Sequence, residues 1–178
     1  MVVTMAVRGV EIYGSSVLRR KADPVEDFGP ELKQLVQDML DTVVAEEGVG
    51  LAAPQVGKSV RLIVLNIPQE NQESLMMPML NPEILDSGGE LEIEEGCLSI
   101  PGIRENVKRP EWIRLRYQDL DRKQHEIETD GVMSRVVQHE VDHLDGILFV
   151  DRIGAAQRAL INGKLKKLSR EERRVVRT

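Results

Sequence analysis

His139 and His143 stand four residues apart in the run Gln138-His139-Glu140-Val141-Asp142-His143, an H-E-x-x-H pattern. On a helix this spacing stacks the two imidazoles on one face, where both can reach a single cation. Two nitrogens on one rigid backbone make half of a tetrahedral metal site. At about 100° per residue from Val132 to Leu144, one continuous half of the helix holds His139, Val132, His143, Val136, Glu140, Met133, Leu144, Val137 and Val141. The other half holds Ser134, Gln138, Asp142 and Arg135. Glu140 therefore falls inside the buried arc, where an ionised carboxylate without a partner is costly or takes up a proton. A water held by a metal, or an adjacent cation, compensates. The bland alternative is a core helix with two incidental histidines, and it requires a coincidence that ordinary residue frequencies make rare. The pattern names neither the metal nor the reaction.

The elements that position this helix are bounded by composition. A chain of 178 residues is most simply one domain, 1–178, with a basic tail from about residue 151. Charged residues at 30% and hydrophobics at 41% suit a soluble globular protein, and no apolar run is long enough to span a membrane. Met1 to Arg8 lacks a signal-peptide core, so the cytoplasm is the expected location. Cys97, the single cysteine, allows no intramolecular disulfide. The net charge is −6, yet Asp151 to Thr178 carries nine Lys or Arg against three acids, a local +6 that leaves about −12 on the body.

The hydrophobic periodicity predicts α+β: antiparallel β-hairpins and sheets packed around a central helix carrying H-E-x-x-H, with an N-terminal scaffold helix and a basic helical tail. An irregular arm runs to about Pro24. Gly29-Pro30 opens a helix with an apolar stripe from Leu32 to Val43, and Gly48 is expected to stop it. Gly48 to Gly57 is not phosphate-loop-like, since no Gly-Lys-Ser/Thr appears; by itself it reads as a structural turn, with close backbone approach by a ligand and Gln55 as an uncharged donor and acceptor as the alternative. Arg61 to Ile67 reads as a buried strand, and Pro68 to Ser74 as a polar loop. Met79 to Leu85 and Leu91 to Glu94 are expected to form a hairpin through Gly88-Gly89. Ile113 to Tyr117 and His125 to Thr129 form another, and the tail helix is expected to break near Asn162-Gly163.

A catalytic site that keeps a position for water needs a third protein ligand. A thermolysin-like peptidase places a glutamate about twenty residues downstream, whereas Glu171 and Glu172 lie later, in the basic tail. A metzincin requires histidine where Phe149 stands. Cys97 remains, and for an isolated cysteine a buried structural thiol is the ordinary reading. Its context changes that reading. The sequence resembles the peptide deformylases in three motifs in order: Gly48-Val49-Gly50-Leu51-Ala52-Ala53-Pro54-Gln55, Glu95-Gly96-Cys97-Leu98-Ser99 and Gln138-His139-Glu140-Val141-Asp142-His143. The resemblance covers nearly the whole chain and is loose only in the tail.

The resemblance implies Cys97, His139 and His143 as metal ligands with a water as fourth. It implies Fe2+ as the metal, replaceable by Zn2+, Ni2+ or Co2+. It implies N-formylmethionyl peptides as substrates, Glu140 as the group that moves the proton, and Gln55 with the Leu98 backbone N–H as donors to the oxyanion. Val132 and Val136 share the histidine stripe and would wall an unbranched side chain. By resemblance Val49, Gly50, Ile93 and Gly96 join the substrate site, and Arg104 lies near the peptide's downstream backbone, with a surface salt bridge as the alternative. Arg135 departs from a pattern often apolar in relatives and is expected on the polar half, covering the pocket's rim with its stem. His125, in a predicted polar strand, is expected to be solvated rather than catalytic. A general zinc peptidase and a catalytically silent metal-binding homologue are the rival readings. For the tail, the functional reading is ribosomal RNA contacted by Lys164, Lys166, Lys167, Arg170, Arg173 and Arg174; a solvated helix is the alternative.

Overall fold

The apolar run Leu62-Ile63-Val64-Leu65 is fully buried along its length. In a computed structural model, which describes residues 6–175 and their side chains as far as Glu172, the run lies in a strand, β2 (Leu62–Gln69). Successive side chains of a strand point to opposite faces, so a strand apolar at every position must be covered on both. Ile63, Leu65 and Ile67 pack against a helix, α2 (Gly131–Leu144), through Val137, Val141 and Leu144. Leu62 and Val64 pack against α1 (Pro30–Ala45), through the stripe Leu32, Leu35, Val36, Met39 and Val43. Each such side chain contributes roughly 1.5–3 kcal/mol by leaving water. Pro30 occupies the first turn of α1, as expected. The left-handed residue at its end is Glu47 (φ 53), not Gly48; Gly48 follows in an ordinary conformation and its N–H closes back on the Val43 carbonyl at 2.7 Å.

The remaining strands are β1 (Gly50–Ala52), β3 (Gln72–Gly88), β4 (Leu91–Cys97), β5 (Ile100–Arg109), β6 (Trp112–Gln118) and β7 (Gln124–Thr129). A five-stranded antiparallel sheet has the order β1-β2-β3-β6-β7, and β4 and β5 form a separate two-stranded ribbon. The β6–β7 hairpin pairs Ile113 with Thr129 through Gln118 with Gln124, as the alternation predicts. The hairpin expected between residues 79–85 and 91–94 does not form. β3 is held between β2 and β6, and β4 turns away to pair with β5, Leu91 opposite Arg109. Part of the loop expected at 68–74 is also strand, leaving only a short turn between β2 and β3.

A third cluster joins β5 to the end of the chain. Ile100, Ile103 and Val107 meet Leu18, Leu148, Phe149 and Val150, and the cluster is closed by Ile161 and Leu165 of α3 (Ala155–Val175). The helix runs through Asn162-Gly163 without a break, because Ile161 and Leu165, four residues apart, anchor both sides of the glycine to one face. The side chains of Arg173 and Arg174 lie outside the described residues. Among the described residues, no helix is long and apolar enough to cross a membrane.

Candidate metal centre

The ligand atoms of Cys97, His139 and His143 lie within 4.8 Å of one another. α2 supplies the two histidines from one face, and Cys97 comes from the last residue of β4, after a register shift between Glu95 and Cys97. Cys97 Sγ is 3.3 Å from His143 Nε2. In a tetrahedral site with ordinary metal–sulfur and metal–nitrogen bonds, neighbouring ligand atoms stand roughly 3.3–3.6 Å apart. This edge therefore fits a first-row divalent cation. His139 Nδ1 donates to Glu95 Oε2 at 3.0 Å, which fixes the ring and leaves Nε2 for the centre. Among the described residues, His143 Nδ1 and Glu140 Oε2 are buried with no hydrogen-bond partner.

The charges around the three ligands favour a cation. Burial disfavours charge on both imidazoles. For His139, Cys97, Glu95 and Glu140 outweigh burial and raise the pKa well above the ordinary histidine value. For His143, burial and the positive charges of His139 and Arg109 act together and hold it well below. A metal ion held by these three ligands would bring positive charge to the same place.

Glu95 is the hub of a buried network that the spacing arguments did not find. Burial alone would raise its carboxyl; hydrogen bonds from His139 and Arg109, with the Arg109 charge, hold it well below the usual carboxylate range. Arg109 Nε donates to Glu95 Oε1 at 2.6 Å and Arg109 Nη1 to Asp142 Oδ2 at 2.8 Å, and Asp142 is also gripped by Arg152 Nε at 2.6 Å. Arg109, Glu95 and Asp142 are all buried. The polar half of α2 is therefore not in water. Ser134, Gln138 and Asp142 are buried, with Gln138 Nε2 donating to the Pro110 carbonyl and Ser134 Oγ, both at 3.0 Å. The wheel separates polar from apolar correctly, but a helix packed on both sides buries its polar face against polar partners. The available signal was three polar residues at four-residue spacing, 134, 138 and 142, on a helix with little exposed surface.

A cavity of about 790 Å³ opens onto Cys97 and His139. Every expected substrate or catalytic residue lines it: Val49, Gly50, Gln55, Ile93, Gly96, Leu98, Arg104, Val132, Val136 and Glu140. Gln55 is fully oriented. Its Oε1 accepts the Ala52 N–H at 2.8 Å, so its Nε2 points inward, 3.5 Å from Cys97 Sγ and 3.1 Å from Ser99 Oγ. The segment read as a structural turn is thus a short strand and a 3-10 turn that aim an amide at the centre. Burial lifts the Glu140 carboxyl to about 7. Val132, at 61% exposure, and Ile93, at 42%, form the outer rim, so the stripe reaches solvent at its N-terminal end. Arg104 pairs with Glu94 at 2.7 Å on an exposed edge.

One expectation is corrected. Arg135 does not lie over the rim by its stem alone: its side chain is only 12% exposed and its guanidinium bonds Glu95 Oε1 at 2.6 Å. His125 is part-exposed, with its Nε2 2.6 Å from Asp119 Oδ2 and its ring stacked on Tyr117. It takes no part in the metal centre.

The sequence model of the family described as polypeptide deformylase matches residues 7–159. A peptide deformylase of Thermodesulfovibrio yellowstonii is 41% identical over 162 residues, covering 91% of this chain and 98% of that protein. The crystal structure of peptide deformylase from Thermus thermophilus superposes with a TM-score of 0.84 at 43% identity, covering 93% of this chain and 99% of that one. A Met-Ala-Ser-bound structure of a class I type b peptide deformylase from Acinetobacter baumannii superposes with a TM-score of 0.80 at 38% identity, covering 84% and 100%. With the family match spanning most of the sequence and all three motifs, this chain belongs to the polypeptide deformylase family.

Proposed function

We propose that residues 1–178 work as one metallo-hydrolase unit that removes the N-formyl group from the N-terminal formylmethionine of nascent polypeptides, releasing formate. Cys97, His139 and His143 would hold one divalent ion, Fe2+ in the cell, with Zn2+, Ni2+ or Co2+ able to replace it; one sulfur and two imidazoles suit each of these. When bound, the ion supplies Lewis acidity, which makes water nucleophilic at neutral pH.

The protein's own groups account for the rest. Glu140, buried and lifted to about 7, is matched to accepting a proton from water and returning it to the leaving amine. Gln55, whose Oε1 accepts from the Ala52 N–H and whose Nε2 donates to Ser99 Oγ, gives its second Nε2 hydrogen to the oxyanion that develops on the formyl oxygen, and the Leu98 N–H is the second donor. Val49, Ile93, Val132 and Val136 receive the methionine side chain, Gly50 and Gly96 let the substrate backbone approach, and Arg104 meets the peptide downstream. Water adds to the formamide carbon, the C–N bond breaks, and formate and a free amino terminus leave. The observation that carries this reading is the grouping of three ligand atoms within 4.8 Å beside a cavity that Cys97, His139, the unpartnered Glu140 Oε2 and the oriented Gln55 amide all line.

Protein purified without oxygen and given formyl-Met-Ala is expected to release formate. Metal-loaded protein that releases none would defeat the reading, and casein cleavage in its place would favour a general peptidase. Metal analysis, with activity followed in air, separates iron from zinc, since only a ferrous site decays by oxidation. For the tail, exposed Lys164, Lys166, Lys167 and Arg170 support contact with ribosomal RNA.

A further inference from the structure

We infer that Arg135 is a positioning residue that sets the width of the side-chain pocket by fastening Ile93 to the metal helix; this rests on the deformylase reading above. The two walls of the cavity come from elements that share no sheet. Val132, Val136, His139 and Glu140 stand on α2, whereas Ile93, Gly96, Cys97 and Arg104 stand on the β4–β5 ribbon. The ribbon is not hydrogen-bonded to the five-stranded sheet, so its distance from α2 depends on side chains that cross between them.

Arg135 makes that crossing with three bonds. Its Nη1 donates to Glu95 Oε1 at 2.6 Å and to the Val107 carbonyl at 3.0 Å, and its Nη2 donates to the Leu91 carbonyl at 2.6 Å. Val107 is the cross-strand partner of Ile93, and Leu91 lies two residues before Ile93 on the same strand. The guanidinium therefore grips the backbone two residues before Ile93 and the backbone opposite it. On α2, Arg135 precedes Val136 directly and follows Val132 by three residues, so the planar fork ties the apolar residues of one wall to those of the other. Ile93 and Val132 are themselves too exposed to hold the walls together by packing. Glu95 keeps Arg109 and His139 when Arg135 is lost, so the metal ligands retain their support.

The test is steady-state formate release by the holoenzyme from formyl-Met-Ala and from the bulkier formyl-Phe-Ala, with bound metal measured in parallel. In Arg135→Met the KM for formyl-Met-Ala should rise about 10-fold with kcat within about 3-fold, and preference for methionine over phenylalanine should fall about 10-fold. Metal content should stay at the wild-type ratio. Arg135→Lys keeps the charge beside Glu95 but not the fork, and should fall between wild type and Arg135→Met. Unchanged KM and preference would overturn the inference. So would loss of metal together with kcat, which would make Arg135 a support for His139 only, and so would failure of both variants to fold. If the wild type releases no formate, the reading of function fails instead.

Discussion

The backbone of Gly50 passes so close to Glu140 that a β-carbon there would lie 2.6 Å from the carboxylate Oε1, and equally close to Val136 Cγ1. Glu140 Oε1 ends a flexible side chain and can shift, whereas the short Val136 side chain is held on α2, which is packed against β1. Gly50→Ala should therefore displace the Glu140 carboxyl, lower formate release by at least about 10-fold, and destabilise the fold by roughly 1–3 kcal/mol. Retained activity at wild-type metal content would show that Glu140 tolerates the shift.

Removing the Glu140 charge should stabilise the metal-free protein in a pH-dependent way. Burial raises its pKa from the ordinary 4.5 to about 7, so the folded chain binds the proton more tightly than the unfolded chain does. Above about 7 the carboxylate is charged in both states and the folded state carries the full penalty; below 4.5 it is neutral in both and the penalty is gone. Glu140→Gln should gain up to about 3 kcal/mol at pH 8, and the gain should shrink as pH falls through 7 toward 4.5. Urea unfolding of both proteins across that range reads it. The same variant should bind metal and release almost no formate.

Glu95→Gln removes the anion that orients His139 Nδ1–H at 3.0 Å and should weaken metal binding by about 10- to 100-fold in competition with a chelator. Arg109→Met acts on stability as well, leaving Glu95 and Asp142 buried with one cationic partner fewer each. A loss of about 3–5 kcal/mol is expected from denaturant unfolding.

Ser99→Ala deletes the hydroxyl 3.1 Å from Gln55 Nε2, which frees that amide without touching a proposed ligand. The expected loss falls on kcat, about 10-fold, because the oxyanion donor is less well aimed while the cavity keeps its lining. An equal change in KM and none in kcat would place Gln55 in ground-state binding.

Deleting residues 162–178 is not a neutral way to remove the basic charge, since it strips Leu165 from the cluster around Phe149 and should cost roughly 2–5 kcal/mol. Exchanging exposed Lys164, Lys166, Lys167 and Arg170 for glutamine leaves that contact intact. Formate release from a short formyl peptide should stay at wild-type level, and ribosome binding at low salt should weaken with a shallower salt dependence. Equal binding by both proteins would make α3 a solvated helix with one buried edge.

The sequence by itself determined what depends on spacing along one element: two histidines and a glutamate on one helical face, the apolar stripe of α1, and the β6–β7 hairpin. These follow from the 3.6- and 2-residue periods of the backbone. Its three motifs also carried Cys97 and Gln55, by resemblance. Only the tertiary structure decided the partners of groups far apart in the chain. Arg109 meets Asp142 across 33 residues and Arg135 meets Glu95 across 40, and no local period encodes either contact. The same holds for β4, whose alternation fits pairing with β3 or with β5; the choice fell to β5 because β3 already has neighbours on both edges. A helix wheel sorts side chains by polarity, but whether the polar side meets water or a buried arginine depends on what the rest of the chain packs against it.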